Sequence, residues 1–226
     1  MERKITFGSI NEGTACKEFY EEIANDIERI INNAIEKRGK ATLLLSGGSS
    51  PIPVYQILGK KDLDWPKIHF GLVDERFVPV NHEHSNEDMI RRMFGSSANK
   101  DFQLLGMVED AFDYKRNGEK IEDYYSTFFE SDLVLLGMGL DGHTASIFPN
   151  DKNSTLSYDM NTNTVLTQAP TFPYKRISTT PRLIHSAKNL FLLLNGKNKK
   201  DLFENSHLNL PIHKFIPYIH KTYIAL

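Results

Sequence analysis

A short apolar run that breaks straight into a glycine-rich or charged turn recurs along this chain, and it narrows the possible folds more than any other feature. Ala41-Thr42-Leu43-Leu44-Leu45 gives way to Ser46-Gly47-Gly48-Ser49-Ser50-Pro51, and Ile68-His69-Phe70-Gly71-Leu72-Val73 to Asp74-Glu75-Arg76. Leu133-Val134-Leu135-Leu136 runs into Gly137-Met138-Gly139-Leu140-Asp141-Gly142-His143-Thr144, and Asn189 to Asn195 into Gly196-Lys197-Asn198-Lys199. Continuous apolar runs of this kind suit strands covered on both faces, as in parallel sheets.

Helical spacing fills the intervals. Ala15, Phe19, Ile23, Ile27, Ile30, Ile31 and Ala34 form one stripe over Thr14 to Arg38, stopped by Gly39. Pro51 to Leu58 reads as a helix with proline in its first turn. Ser85 to Phe94 starts with a cap and acidic residues and ends with Arg91-Arg92, as the helix dipole favours. Glu119 to Phe129 is a further helix, and a short one follows Gly196-Lys197-Asn198-Lys199. Thr164 to Gln168 and Arg176 to Thr180 read as weaker strands, and Asn150 to Asn163 as a surface loop. Strands alternating with helices predict an α/β fold: a doubly wound, largely parallel sheet covered by helices on both faces. In such sheets ligands sit beyond the carboxyl ends of the strands, where every turn named above is expected.

The remaining composition removes several function classes. The 226 residues carry a net charge of −2, which gives no electrostatic case for nucleic acid or a membrane surface. No repeat or linker divides the chain, so residues 1–226 are expected to form a single domain. Cys16 stands alone, which excludes an internal disulfide and a cysteine-based zinc site. The strongest apolar run, Leu190 to Leu194, is far short of a membrane span of about 20 residues, and the N-terminus lacks a signal-peptide core. A cytoplasmic protein is expected, acting as a monomer or small homo-oligomer.

Four segments carry candidate chemistry. Ser46, Gly47, Gly48 and Ser49 follow a strand and precede a helix, so their backbone N–H groups can approach an anion; a plain tight turn explains them as well. Asp74, Glu75 and Arg76 stack charge at a buried strand end, either as a structural ion pair or with Arg76 free to bind a carbonyl or phosphate oxygen. His143 lies in a glycine-rich turn rather than on an apolar helix face, and imidazole suits general-base work near neutrality; the alternative is a cap for a following helix. Arg176 and Lys199 would meet at one rim if their strands are neighbours, and with the glycine turn they would make a phosphate pocket. His82, His84 and His213 lack partners at ligand spacing, so no metal site is expected. Trp65 and the phenylalanines read as core.

Taken together, these strings resemble the 6-phosphogluconolactonases. Leu45 to Pro51, Asp74-Glu75-Arg76-Phe77-Val78-Pro79 with Ser85-Asn86, Leu136 to Pro149, and Arg176-Ile177-Ser178 through Lys199 fall in the family's order. The resemblance implies a Rossmann-like sheet of the isomerase/lactonase type, with no metal or organic cofactor. It also implies hydrolysis of a phosphorylated sugar lactone, 6-phospho-D-glucono-1,5-lactone, in the pentose phosphate pathway. By resemblance His143 is the general base, Arg76 offsets charge on the carbonyl oxygen, and Asp141 and Asp74 shape the site. Ser46, Gly47, Gly48, Ser49, Arg176 and Lys199 would hold the 6-phosphate. The chain departs from the family at Ser178-Thr179-Thr180-Pro181-Arg182, where Arg182 is extra and reaches either the site or solvent, and at Ile216 to Leu226, where the usual acidic ending is missing.

Two rivals share the scaffold. Glucosamine-6-phosphate deaminases carry Asn-Glu-Pro where this chain has Ile147-Phe148-Pro149, and Phe148 cannot transfer a proton. A sugar-phosphate-sensing regulator is expected to need a DNA-binding segment, for which the domain leaves no room.

Overall fold

The computed structural model describes residues 4–8, 14–95 and 101–226, without the side chains of residues 5, 7 and 14–16. The chain runs through β1 (Lys4–Gly8), α1 (Thr14–Arg38), β2 (Ala41–Leu45), α2 (Ile52–Leu58), β3 (Ile68–Leu72), β4 (Asp74–Arg76), α3 (Asn86–Gly95), β5 (Gln103–Leu105) and α4 (Tyr114–Tyr125). It continues through β6 (Leu133–Leu136), α5 (Lys152–Leu156), β7 (Thr164–Gln168), β8 (Lys175–Thr179), α6 (Pro181–His185), β9 (Leu190–Asn195), α7 (Lys197–Glu204), α8 (Pro211–Phe215) and β10 (Lys221–Ala225).

The main sheet has seven strands in the order β1-β10-β9-β6-β2-β3-β5, and every pairing in it is parallel. From β2 the chain winds outward through β3 and β5, then returns to the other side of β2 and winds away through β6 and β9. The winding reverses between β2 and β6, so the loops leaving those strands face a crevice. Burial explains the apolar runs: Leu133, Val134, Leu135 and Leu136 are all fully buried, as are Leu43, Leu44 and Leu45. The α1 stripe buries Phe19, Ile23, Ile27, Ile31 and Ala34; Ile30 is half-buried, and the Ala15 and Cys16 side chains lie outside the described residues.

Strands Thr164–Gln168 and Lys175–Thr179 do not extend this sheet. They form a separate three-stranded antiparallel sheet, β4-β8-β7, with Asp74–Arg76 at its edge. The charged triplet is therefore not the end of β3. Val73 carries the chain from one sheet to the other, its N–H bonded to Leu45 O and its own carbonyl to Thr179 N–H (both 2.9 Å).

Other boundaries moved for local reasons. The helix expected from Glu119 begins at Tyr114 because the Asp113 side chain caps it, accepting from Arg116 N–H at 3.0 Å, and it tightens to a 3₁₀ turn over Ser126–Phe128. Lys152–Leu156 forms a short helix inside the expected loop, capped by Asp151. Strands β1, β5 and β10 carry no long apolar run and add to the strands expected from the sequence. The atypical C-terminus supplies β10, which lies between β1 and β9. Trp65, Phe70 and Phe94 are core, as expected, but Phe112, Phe129 and Phe172 are exposed.

Candidate active site

A cleft of about 230 Å³ opens at the carboxyl ends of β2, β6 and β9, at the reversal of winding. Ser46, Gly47, Gly48, Ser49, Asp74, Arg76, His143, Arg176 and Lys199 all line it. Asp141, the remaining candidate, stands behind His143. Arg176 and Lys199 converge without the neighbouring strands that the sequence reading required: β8 belongs to the small sheet and β9 to the main one.

The glycine loop forms one wall. Gly47 is required by a close approach, since a Cβ there would stand 1.9 Å from Asn86 Oδ1. Asn86 Nδ2 donates to Asp74 O at 2.8 Å, so this buried amide ties the small sheet beside the glycine loop. Gly48 takes φ +86, a left-handed conformation that glycine adopts without a Cβ clash. Helix α2 starts only at Ile52 and has seven residues, so its dipole adds little to the loop.

The small sheet supplies the cations. In the β4–β8 register Arg76 stands opposite Arg176 and Asp74 opposite Ser178. Directly opposed residues of an antiparallel pair share a face, so these four project together while Glu75 and Ile177 project the other way. Two arginines directly opposed repel each other unless an anion lies between or beyond them. Neither forms an ion pair among the described residues: Arg76 Nη1 donates to His84 O at 2.7 Å and Arg176 Nε to Pro173 O at 2.7 Å. Arg76 Nε is buried with no hydrogen-bond partner among the described residues. Burial pushes the Arg176 pKa down and Arg76 adds to this, while Asp74 and Glu75 oppose it.

Lys199 completes the charge. Its neighbours on α7 pair along the helix, Lys197 with Asp201 and Lys200 with Glu204, whereas Lys199 has no ion pair among the described residues and is half-buried. Burial alone holds its amine below the ordinary lysine range. A cation desolvated without a partner is an unpaid cost that a bound anion would offset.

The opposite wall is the turn after β6. His143 Nδ1 lies 2.5 Å from Asp141 Oδ1, which also accepts from the His143 backbone N–H at 3.2 Å. Burial pushes the Asp141 carboxyl up, but the hydrogen bonds and charge of His143 outweigh it and hold the pKa below the usual value. With Nδ1–H donated to a carboxylate, the lone pair of Nε2 is the imidazole's basic site. Gly139 permits the pair, because a Cβ there would stand 2.2 Å from the His143 ring and 2.7 Å from Asp141 Oδ1. No helix begins at His143, so it caps none; Ala145 at φ +52 and the Thr144–Ile147 bridge carry the chain through a tight turn instead. The Phe148 ring lies 4.7 Å from the His143 ring and 5.6 Å from the Arg176 guanidinium, centroid distances that put it in contact with both. Ser146 Oγ donates to Asp74 Oδ2 at 2.5 Å and locks this turn to the small sheet.

Some residues fall elsewhere. Arg182 is turned away, donating to Asn163 Oδ1 at 2.8 Å with its guanidinium 4.6 Å over Phe129. His82 and His84 contact each other and Phe172. Among the described residues no group of three His, Cys, Asp or Glu could hold a metal ion, and no helix is long and apolar enough to cross a membrane. Asn86, which lines the cleft, and Ser146, which is buried behind it against Asp74, are polar residues on a helix start and a turn and carry no local sign of these partners.

Residues 15–217 match the family described as glucosamine-6-phosphate isomerases/6-phosphogluconolactonase. The chain belongs to this family. It is 32% identical over 214 residues to a 6-phosphogluconolactonase of Pseudomonas putida, spanning 92% of this chain and 88% of that protein. A probable 6-phosphogluconolactonase of Dictyostelium discoideum is 34% identical over 233 residues, spanning 94% and 95%. The crystal structure of a 6-phosphogluconolactonase from Shewanella baltica superposes with a TM-score of 0.89 at 25% identity, covering 100% of both chains. The family's doubly wound sheet is thus the scaffold on which the cleft is built.

Proposed function

We propose that this chain is a 6-phosphogluconolactonase, hydrolysing 6-phospho-D-glucono-1,5-lactone to 6-phospho-D-gluconate in the pentose phosphate pathway, in the cytoplasm. The observation that carries this reading is a carboxylate-oriented imidazole, His143–Asp141, at one cleft with three cations that form no ion pair among the described residues. Family membership and the lactonase relatives support it. So does Phe148 against the His143 ring, where the deaminases named above carry a glutamate.

In this mechanism the 6-phosphate rests against the Ser46–Ser49 loop with Arg176 and Lys199. Anchoring the remote phosphate places the lactone carbonyl for attack. His143 Nε2 takes a proton from water as the water oxygen bonds to the carbonyl carbon. Arg76, with its Nε–H unpaired, faces the negative charge that develops on the carbonyl oxygen. Asp141 stabilises the imidazolium. When the tetrahedral intermediate collapses, the bond to the ring oxygen breaks, and that oxygen leaves as a hydroxyl carrying the proton from His143. The product acid then ionises.

The test is lactone hydrolysis on freshly generated substrate, with the spontaneous rate subtracted. Wild type is expected to accelerate it. His143→Ala should lose roughly 10²–10⁴-fold in turnover, the contribution of general-base catalysis, while 6-phosphogluconate still binds. Full turnover in the variant would remove His143 as the base. Ammonia release from glucosamine 6-phosphate would move the chain to the deaminases.

A further inference from the structure

Glu75 projects from the face of the small sheet opposite Arg76 and is only 1% exposed. Its carboxylate meets hydrogen-bond donors rather than a cation. Oε1 accepts from the backbone N–H of Arg76 (2.7 Å) and of Asn86 (2.8 Å); Oε2 accepts from Glu87 N–H (2.7 Å) and Ser85 Oγ (3.1 Å). Ser85 Oγ caps only the third N–H of α3, that of Asp88 (3.2 Å); Glu75 takes the first two, of Asn86 and Glu87, so one carboxylate caps the helix and also holds the Arg76 N–H of β4. Burial pushes the Glu75 pKa up to about 7, with Asp74 adding to it against the three backbone donors, so the anion is kept at a cost.

The geometry connects this cost to the cleft. Both residues joined at Oε1, Arg76 and Asn86, line it. The segment clamped at Oε2 begins next to His84, whose carbonyl takes the Arg76 guanidinium. Arg76 is thus held at its backbone and at its tip by one carboxylate-organised turn. We propose that Glu75 is a positioning residue: its carboxylate locks β4 to the start of α3 and thereby aims Arg76 and Asn86 into the cleft. The inference rests on the lactonase reading for the role of Arg76. Glutamine cannot substitute, because whichever way its amide turns, the NH₂ faces at least one backbone N–H donor.

A double-mutant cycle on the full chain tests this, with kcat, KM and the stoichiometry of 6-phosphogluconate binding measured for wild type, Glu75→Gln, Arg76→Ala and the double variant. Glu75→Gln should lower kcat roughly 10–100-fold, the scale of a displaced catalytic group, while each chain still binds product. In the Arg76→Ala background the same change should lower kcat by less than about twofold, since coupled residues are non-additive. An equal loss in both backgrounds, or a binding-competent fraction that falls in step with kcat, would overturn the proposal. If Glu75→Gln does not fold, Glu75→Asp, which keeps the charge on a shorter stem, passes through the same cycle with the same criterion. Wild type no faster than the spontaneous reaction would instead sink the lactonase reading. The cycle is then read in the affinity of the same four proteins for 6-phosphogluconate, where additivity again overturns the role of Glu75.

Discussion

Cations gather at both ends of the main sheet, and the two ends treat them in opposite ways. At the amino end a groove holds Lys4, Arg29, Lys37, Arg38, Lys188 and Lys221 around two largely buried carboxylates. Asp132 pairs with Arg38 and with Lys188 (3.0 Å) and accepts from Thr42 N–H (3.0 Å); Asp26 pairs with Arg29 and Lys221 and accepts from the Tyr223 hydroxyl. At the carboxyl end Arg76 and Arg176 are held by carbonyls and Lys199 by no ion pair among the described residues. Charge balanced inside the protein stabilises the fold. Charge left unbalanced in a cleft costs stability and is available to a ligand, which is how a binding site differs from a surface that is merely basic.

Substitutions at the two ends should therefore separate stability from binding. The largest stability effect at neutral pH is expected at the amino end: Asp132→Ala leaves the Thr42 N–H and two part-exposed cations without their partner and should cost about 1–2 kcal/mol, read as a urea midpoint, with kcat unchanged. Loss of turnover without loss of stability would break the contrast. Next in size, Lys199→Ala or Arg176→Ala should weaken 6-phosphogluconate binding roughly 10–100-fold, the scale of a charge-assisted hydrogen bond. Lys199→Ala should do so with a Tm no lower than wild type, because it removes an unpaired, desolvated cation. A clear drop in Tm would mean that Lys199 supports the fold after all.

The effect that vanishes at neutral pH lies away from both ends. His185 stacks on Tyr218 at 3.6 Å and burial holds its pKa down to about 4 against an ordinary 6.5. Above pH 6.5 both folded and unfolded chains carry it neutral, so it is silent. Between 6.5 and 4 the unfolded chain takes the proton first, and stability falls with pH. His185→Phe keeps a ring against Tyr218 and should flatten that part of the profile in denaturant titrations across this range.

Most of the site that was legible shares one property: it lies in or just after a turn that follows an apolar strand, whereas Arg176, near the start of β8, was legible only as a cation at a strand end. Ser46-Gly47-Gly48-Ser49, Asp141-Gly142-His143 and Lys199 are of this kind, and a parallel sheet sends all such turns to the same end. Glu75, Asn86 and Ser146 were not legible as site-builders, because their partners come from other elements: Glu75 reaches Asn86 across a loop, and Ser146 reaches Asp74 from another strand's turn. The small sheet was hidden for a related reason. Asp74–Arg76 is three charged residues long, too short and too polar to show a strand's period, and only pairing with β8 makes it one. Strand β10, Lys221 to Ala225, lacks a long apolar run yet lies inside the main sheet because β1 covers its outer edge.

The sequence by itself determined the alternation of apolar runs and amphipathic stripes, hence the doubly wound sheet. It also placed the imidazole two residues after an aspartate in a turn that glycine keeps open. Tertiary structure decided which charges are spent within the fold and which face the cleft. Lys197, Lys199 and Lys200 are alike in composition and close in sequence, yet two are paired and one is half-buried with no ion pair among the described residues. Chain spacing sets what meets along one helix or strand. Desolvation and distance between elements set the rest, and both exist only once the elements have packed.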